Sequence, residues 1–447
     1  MKHGLANLLV LLALCAAAVS CGPELPDDEP EPQPTKKEYH FKYNIGTLDN
    51  LPDGLNYYKD CCNYVSKLDG FMYEPKLYYG HSTLLSALTD YNIPIADSAS
   101  VDSRAEIFIH AKNLMDTIIT LDTHCDFPEQ RYYNKSKNYS LSESQSRCQV
   151  SIERMKQGHQ CAQYLATWMS VSGSQTSKSA LASAPATLWE FVKEIDDHLS
   201  DNSSLCGLAR NKEEILELKK QGKIAFLYGL ENGFWTGTDL GNLEKLAKKG
   251  FTYVTLSHNG DNQICHSALS SNDSSLGLTD FGREYVAKMN ELGLVIDLSH
   301  TSKATWREVL ELSKAPVAFS HSGAAALYKH GRNVDDETLR ILAKKGGVIQ
   351  IYIVQGWMSN GNSSEEGLND LVNHIDHCVK VAGIDHVGVG IDLDGGGGGE
   401  RYNASNDAIN LTVALIEKGY SDSDIAKVWG ENYLRVLSEA QALAKAK

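Results

Sequence analysis

From residue 105 onward, short apolar or β-branched runs alternate with amphipathic segments. Eight such runs occur, at 118–123, 161–169, 224–228, 252–256, 294–298, 316–319, 348–352 and 387–391. The last six are nearly continuous in apolar residues, as parallel strands buried on both faces require. Helical periodicity fills most of the gaps, at 212–221, 243–249, 281–292, 302–313 and 336–345. Strands alternating with helices predict the α/β class, and eight of them predict a (β/α)8 TIM-type barrel over 105–440. An open doubly wound sheet is the alternative. It usually carries a Gly-rich loop after its first strand, and none is present there.

Upstream the pattern breaks. Residues 38–104 are rich in Tyr and Asn, include a vicinal Cys61-Cys62 pair, and predict an N-terminal extension of mixed structure. Residues 21–37 are Pro-rich and acidic, an extended solvated tether that cannot build a core. Residues 1–20 place Lys2 and His3 before an apolar run at 8–19 and end in small residues. That is the plan of a secretory signal, too short to span a bilayer as a mature helix. Ala18-Val19-Ser20-Cys21 resembles a bacterial lipobox, in which the Cys thiol is lipidated and becomes the new N-terminus. Ordinary signal cleavage beside a chance Cys is the other reading. The expectation is an exported lipoprotein held to the membrane at Cys21. It would face the periplasm or the cell exterior, on the outer membrane in a Gram-negative host.

Composition narrows the function. The chain of 447 residues has 57 acidic against 42 basic residues, a net charge of −15. No basic face is available to neutralise phosphates, so no nucleic-acid partner is expected. Apolar residues at 42% and charged residues at 22% are ordinary for a globular protein and exclude disorder over the whole chain. The ten cysteines form no CxxC motif, which argues against a thiolate zinc site, and their spacing assigns no disulfide.

The candidate chemistry sits at the ends of the runs. They close on His124-Cys125-Asp126, Glu231, His258, His300, His321 and Asp392-Leu393-Asp394. In a barrel those ends meet on one face, where active sites are built. Side chains two apart on an extended strand share a face, so His124 and Asp126 can reach one metal. Imidazole with carboxylate suits zinc, and also manganese or iron. With Glu231, His300 and His321 the set holds three imidazoles and two carboxylates, more than one open zinc takes. Five ligands with one shared carboxylate fit two metals about 3.5–4 Å apart, bridged also by water. Cys125 should face away from the ligands and pack. Residues 395–399, all glycine, read either as a flexible rim over the site or as a spacer. His374, His377 and Cys378 have helical spacing and read as a packing or surface cluster. Tyr352 reads as core or pocket lining.

The segments LDTHCD, GLENG, TLSHN, LVIDLSH, PVAFSHS, RNVDD, HVGVGIDLDG and ENYLRVL, in that order between residues 121 and 437, resemble the membrane (renal) dipeptidase family of metal-dependent amidohydrolases. The resemblance implies hydrolysis of dipeptides, with tolerance of a D-residue at the C-terminal position. It implies two Zn2+ per chain, bridged by Glu231 and a water or hydroxide. His124 and Asp126 would bind one zinc, His300 and His321 the other. His258 would polarise the scissile carbonyl, Arg332 would grip the substrate's C-terminal carboxylate, and Asp392 would pass the proton from water to the leaving amine. Read without the resemblance, Arg332 is better taken as a surface residue opening the following helix. Two other functions stay open: an amidohydrolase acting on N-acyl-D-amino acids or peptidoglycan fragments, and a non-catalytic lipid-anchored binding protein. The sequence leaves a homodimer open.

Overall fold

The computed structural model describes residues 98–445 except 136–138, 143–146, 172, 271–274 and 360–365. The expectations for the signal, Cys21, the tether and residues 38–97 lie outside the described residues. The described chain opens with a helix, α1 (Ser98–Thr117), which begins before residue 105. Ten strands follow: β1 (Leu121–Asp122), β2 (Ala162–Thr167), β3 (Cys206–Leu208), β4 (Ile224–Glu231), β5 (Phe251–Thr255), β6 (Val295–Asp297), β7 (Ala318–Ala324), β8 (Asn333–Val334), β9 (Val348–Ile351) and β10 (Val387–Val389).

Eight of them run in the order β1-β2-β4-β5-β6-β7-β9-β10, with parallel pairing throughout. The first and last then meet. Thr123 N donates to the Val389 carbonyl at 3.2 Å, Asp126 N to that of Leu393 at 2.9 Å, and Ile391 N to Asp122 Oδ1 at 3.1 Å. The sheet thus curls into the expected (β/α)8 barrel, each of its strands lying within or overlapping one of the eight apolar runs. The short β3 and β8 pair with β4 and β7 outside this ring.

Period-2 alternation sorts the strand side chains into two layers. Ala162, Tyr164, Ala225, Leu227, Tyr253, Val295, Ala318 and Val348 pack together inside the barrel. Leu165, Phe226, Tyr228, Val254, Ile296, Phe319 and Ile349 belong to the larger core beneath the helices. Burial on both faces is why these strands read as continuous apolar runs. At Gly229 an added Cβ would lie 2.0 Å from the Tyr253 ring, so a glycine is what lets that ring cross the interior.

The helices are punctuated by their own termini. Asn211 accepts from Glu214 N to cap Lys212–Lys220, which carries Glu213 and Glu214 in its first turn and Lys219 and Lys220 in its last. That arrangement answers the helix dipole at both ends, and such a cap contributes about 1 kcal/mol. A left-handed Gly250 ends Gly241–Lys249 and feeds β5.

Candidate active site

The inward row of β4 runs Ala225, Leu227, Gly229 and ends at Glu231, so the same alternation that fills the barrel delivers this carboxylate to its mouth. Glu231 is buried and central. Its Oε2 lies 3.2 Å from His124 Nε2. Its Oε1 lies 2.9 Å from His300 Nε2, 3.7 Å from His321 Nε2 and 3.8 Å from His258 Nε2. His124 Nε2 is in turn 3.8 Å from both Asp126 Oδ1 and Asp392 Oδ1. Three overlapping triads result: His124, Glu231 and His321; Glu231, His258 and His300; His124, Asp126 and Asp392. All seven side chains that the sequence placed at strand ends for this chemistry therefore converge.

The imidazoles are aimed. Each of His124, His300 and His321 turns Nε2 inward and ties Nδ1 outward, to Tyr253 Oη at 3.1 Å, Asn259 Oδ1 at 2.8 Å and Ser320 Oγ at 2.8 Å. His300 and Asp392 hold φ of +67° and +71°. Such left-handed backbone at non-glycine residues costs of order 1–3 kcal/mol and persists where the surroundings enforce it. The surroundings do so here. His300 O accepts from Ala268 N at 2.7 Å, and Asp392 O accepts from Gly397 N at 2.7 Å.

The charge balance calls for cations. Burial and the Glu231 charge push the Asp126 carboxyl well above its usual range. Burial, reinforced by Glu231, brings Asp392 up to about 6. Burial opposes the charge on His124, but Glu231, Asp126 and Asp392 together raise it to about 10. Glu231 stays ionised against its burial because His124 and His300 face it. Burial, with the Arg332 charge nearby, drives His300 and His321 well below the usual imidazole range, and takes His258 down to about 4. His124 Nε2 and Asp126 Oδ1 are buried without any hydrogen-bond partner. His300 Nε2 and His321 Nε2 face each other at 2.8 Å. Facing imidazole nitrogens and crowded carboxylates, with outer partners in place, form a donor set that could hold a metal.

Arg332 departs from the alternative that makes it a surface residue. It is 1% exposed and lies just before β8, not on the helix that follows. Its Nη1 and Nη2 donate to the His321 carbonyl at 3.3 and 3.2 Å, its Nε has no partner, and no carboxylate pairs with it among the described residues. Arg332 is thus a buried cation with no carboxylate partner among the described residues, free to receive an anion.

The glycine run is neither a flexible rim nor a spacer. Gly395 N and Gly397 N both donate to Asp392 O, and Gly398 N donates to Ile353 O. A Cβ at Gly395 would sit 1.9 Å from Asp126 Oδ2 and 2.6 Å from Asp392 Oδ1. This turn is packed onto two site carboxylates, and only glycine fits. Cys125 is buried away from the ligands, as expected, and His374 packs between Ala324 N and Met358 O. Tyr352 is buried and donates to Asn333 Oδ1 at 2.6 Å. Cys161, Cys206, Cys265 and Cys378 are likewise buried free thiols. Sequence reasoning missed Trp168, which meets His258 edge-on at 5.1 Å from the end of β2, and the three Nδ1 partners. Asn259 and Ser320 stand next to site histidines in the chain, a signal that could have been used.

The profile of the membrane dipeptidase family (peptidase family M19) matches residues 109–447. The chain belongs to this family. An uncharacterized dipeptidase of Schizosaccharomyces pombe is 30% identical over 351 residues, spanning 76% of this chain and 83% of that protein. The dipeptidase VerJ of Clonostachys rogersoniana is 35% identical over 247 residues, spanning 54% and 62%. Among solved structures, the probable dipeptidase PvdM of Pseudomonas aeruginosa superimposes with a TM-score of 0.68 at 26% identity, over 76% of this chain and 99% of that one. A metallopeptidase of Rhodobacter sphaeroides, solved with a phosphinate mimic of L-Ala-D-Ala, shares the fold with a TM-score of 0.66 at 21% identity, over 72% and 99%. Family membership makes this chain a metallo-dipeptidase and sets aside the non-catalytic binding protein.

Proposed function

We propose that this dipeptidase cleaves the peptide bond of free dipeptides at a centre of two zinc ions, and that it accepts a D-residue at the C-terminal position. The observation that carries the reading is Glu231. Its Oε2 faces His124, and its Oε1 faces His300 and, at 3.7 Å, His321, which also stands beside His124, so this one carboxylate could serve two ions. His124 and Asp126 would hold one ion, His300 and His321 the second. When bound, such ions supply Lewis acidity and make a water acidic enough to attack near neutral pH.

The chain's own residues do the rest. Arg332 binds the C-terminal carboxylate of the dipeptide through its guanidinium fork, fixing which bond meets the centre. His258, kept neutral by burial, donates an N–H to the scissile carbonyl oxygen as negative charge develops there. Asp392 takes the proton from the attacking water and returns it to the departing amine. Water adds to the carbonyl carbon, the C–N bond breaks, and two amino acids leave.

The test is metal content beside a dipeptide library assay. We expect about two metal ions per chain, loss of activity on chelation and recovery with zinc. An active metal-free protein rejects the reading. Activity confined to N-acyl-D-amino acids or peptidoglycan fragments rejects the substrate class but keeps the centre. An L-Ala-D-Ala dipeptide beside its L,L-isomer decides the stereochemical part.

We also propose that the enzyme is exported and lipid-anchored at Cys21, on the lipobox-like Ala18-Val19-Ser20-Cys21 and the acidic tether behind it. In cell fractions the wild type should sediment with membranes and a Cys21→Ala variant should not. Identical soluble behaviour of both rejects the anchor and leaves the dipeptidase reading intact.

A further inference from the structure

Asp297, on the inward row of β6, is fully buried yet is no part of the metal cluster. Four donors surround it. Its Oδ1 accepts from Ser299 N at 3.1 Å and Ser320 N at 2.7 Å. Its Oδ2 accepts from the hydroxyls of Thr255 and, at 2.6 Å, Ser320. Ser320 Oγ also lies 2.8 Å from His321 Nδ1. A serine hydroxyl has one hydrogen to give. Its other acceptor, Ser299 Oγ, is 3.4 Å away, so the short, charge-assisted bond to Asp297 takes that hydrogen. What remains on Ser320 toward His321 is a lone pair, which only an Nδ1–H can satisfy.

We propose that Asp297, acting through Ser320, fixes His321 in the tautomer that carries its proton on Nδ1 and so presents a bare Nε2 to the metal centre. Both are positioning residues. The relay is one-sided. The Nδ1 atoms of His124 and His300 meet only the neutral Tyr253 hydroxyl and Asn259 carbonyl, whereas His321 is backed by a carboxylate one hydroxyl away. A carboxylate behind a histidine raises its basicity as a ligand. The relay therefore strengthens the hold of His321 on its ion. This inference rests on the two-metal reading above.

Asp297→Asn tests the proton arrangement without changing the side chain's shape. Two backbone N–H groups face Oδ1, so the carbonyl of the introduced amide must turn to them and its NH2 to the hydroxyls. Ser320 then accepts from that NH2 and is left to donate to His321 Nδ1. That moves the histidine's proton onto Nε2, where it blocks the metal. Ser320→Ala removes the link altogether. The readout is zinc affinity, by competition with a chromophoric chelator, with the melting temperature of the metal-free proteins as the check on folding. We expect one of two ions to weaken by about 10–100-fold in Ser320→Ala, and at least as much in Asp297→Asn, with the other ion little changed. Two ions bound with wild-type affinity in both variants overturns the relay and leaves the two-metal centre standing. An unchanged Asp297→Asn alone also overturns it, since replacing the acceptor of the Ser320 hydrogen would then leave the tautomer and the affinity as they were. A wild type holding fewer than two ions rejects the two-metal reading, and the relay is then judged on the ion that binds.

Discussion

Asp392→Asn is expected to give a folded, metal-loaded protein that still binds a dipeptide but turns it over about 10²–10⁴-fold more slowly. The carboxyl sits at the end of the last barrel strand in left-handed backbone, its main-chain oxygen held by two glycine N–H groups. Burial raises it to about 6, within reach of both protonation states near neutral pH. A group that takes a proton from water and hands it to an amine needs that balance. The amide keeps the shape but cannot accept and return a proton. Bound cations would draw the carboxyl lower, so the acid limb of the wild-type rate profile should fall at or below about pH 6, with activity rising as Asp392 loses its proton. Metal analysis, binding of a phosphinate dipeptide mimic and single-turnover rates separate the steps. If the variant loses metal instead, Asp392 is a ligand, as its place beside His124 and Asp126 would allow. Turnover within a few-fold of wild type would move the proton carrier elsewhere.

Parts of this centre could be read before the fold was known, for a physical reason. A strand buried on both faces must be apolar throughout, and a polar residue that interrupts it at one end marks the barrel mouth. Glu231, His300 and His321 announce themselves that way. The strands β3 and β8 do not. At three and two residues they are too short to carry a period. Contacts between distant segments were equally hidden. Tyr253 is 129 residues from the His124 ring it orients, and nothing in the spacing links Gly395 to Asp126. Glycine repeats suggest mobility when only flexibility is considered, yet here the missing Cβ is a packing requirement. Arg332 shows the opposite ambiguity. Its neighbours resemble the start of a helix, and only burial in three dimensions distinguishes a surface cation from an enclosed one.

That distinction leads to an expectation with two signs. Arg332→Met should leave the metal-free protein as stable as the wild type or more so, while cutting kcat/KM for free dipeptides by about 10²–10³-fold. A buried charge without a counter-ion costs desolvation energy, and an apolar side chain of similar length removes that cost. Against this stand the two bonds to the His321 carbonyl, at 3.2 and 3.3 Å, and the contact of the guanidinium with the Tyr352 ring at 5.7 Å. With substrate bound the balance reverses. The carboxylate and guanidinium form a desolvated charge pair, and truncating one partner of such a pair costs about 2–5 kcal/mol, chiefly by stranding the other. A dipeptide amide brings no carboxylate, so it should be hydrolysed slowly by the wild type and at nearly the same rate by the variant. The decisive quantity is the ratio of kcat/KM for acid over amide. It should collapse toward unity in Arg332→Met while metal content stays constant. Equal losses on both substrates, together with a lower melting temperature, would make Arg332 a structural residue, and the carboxylate would have to be bound elsewhere around the barrel mouth.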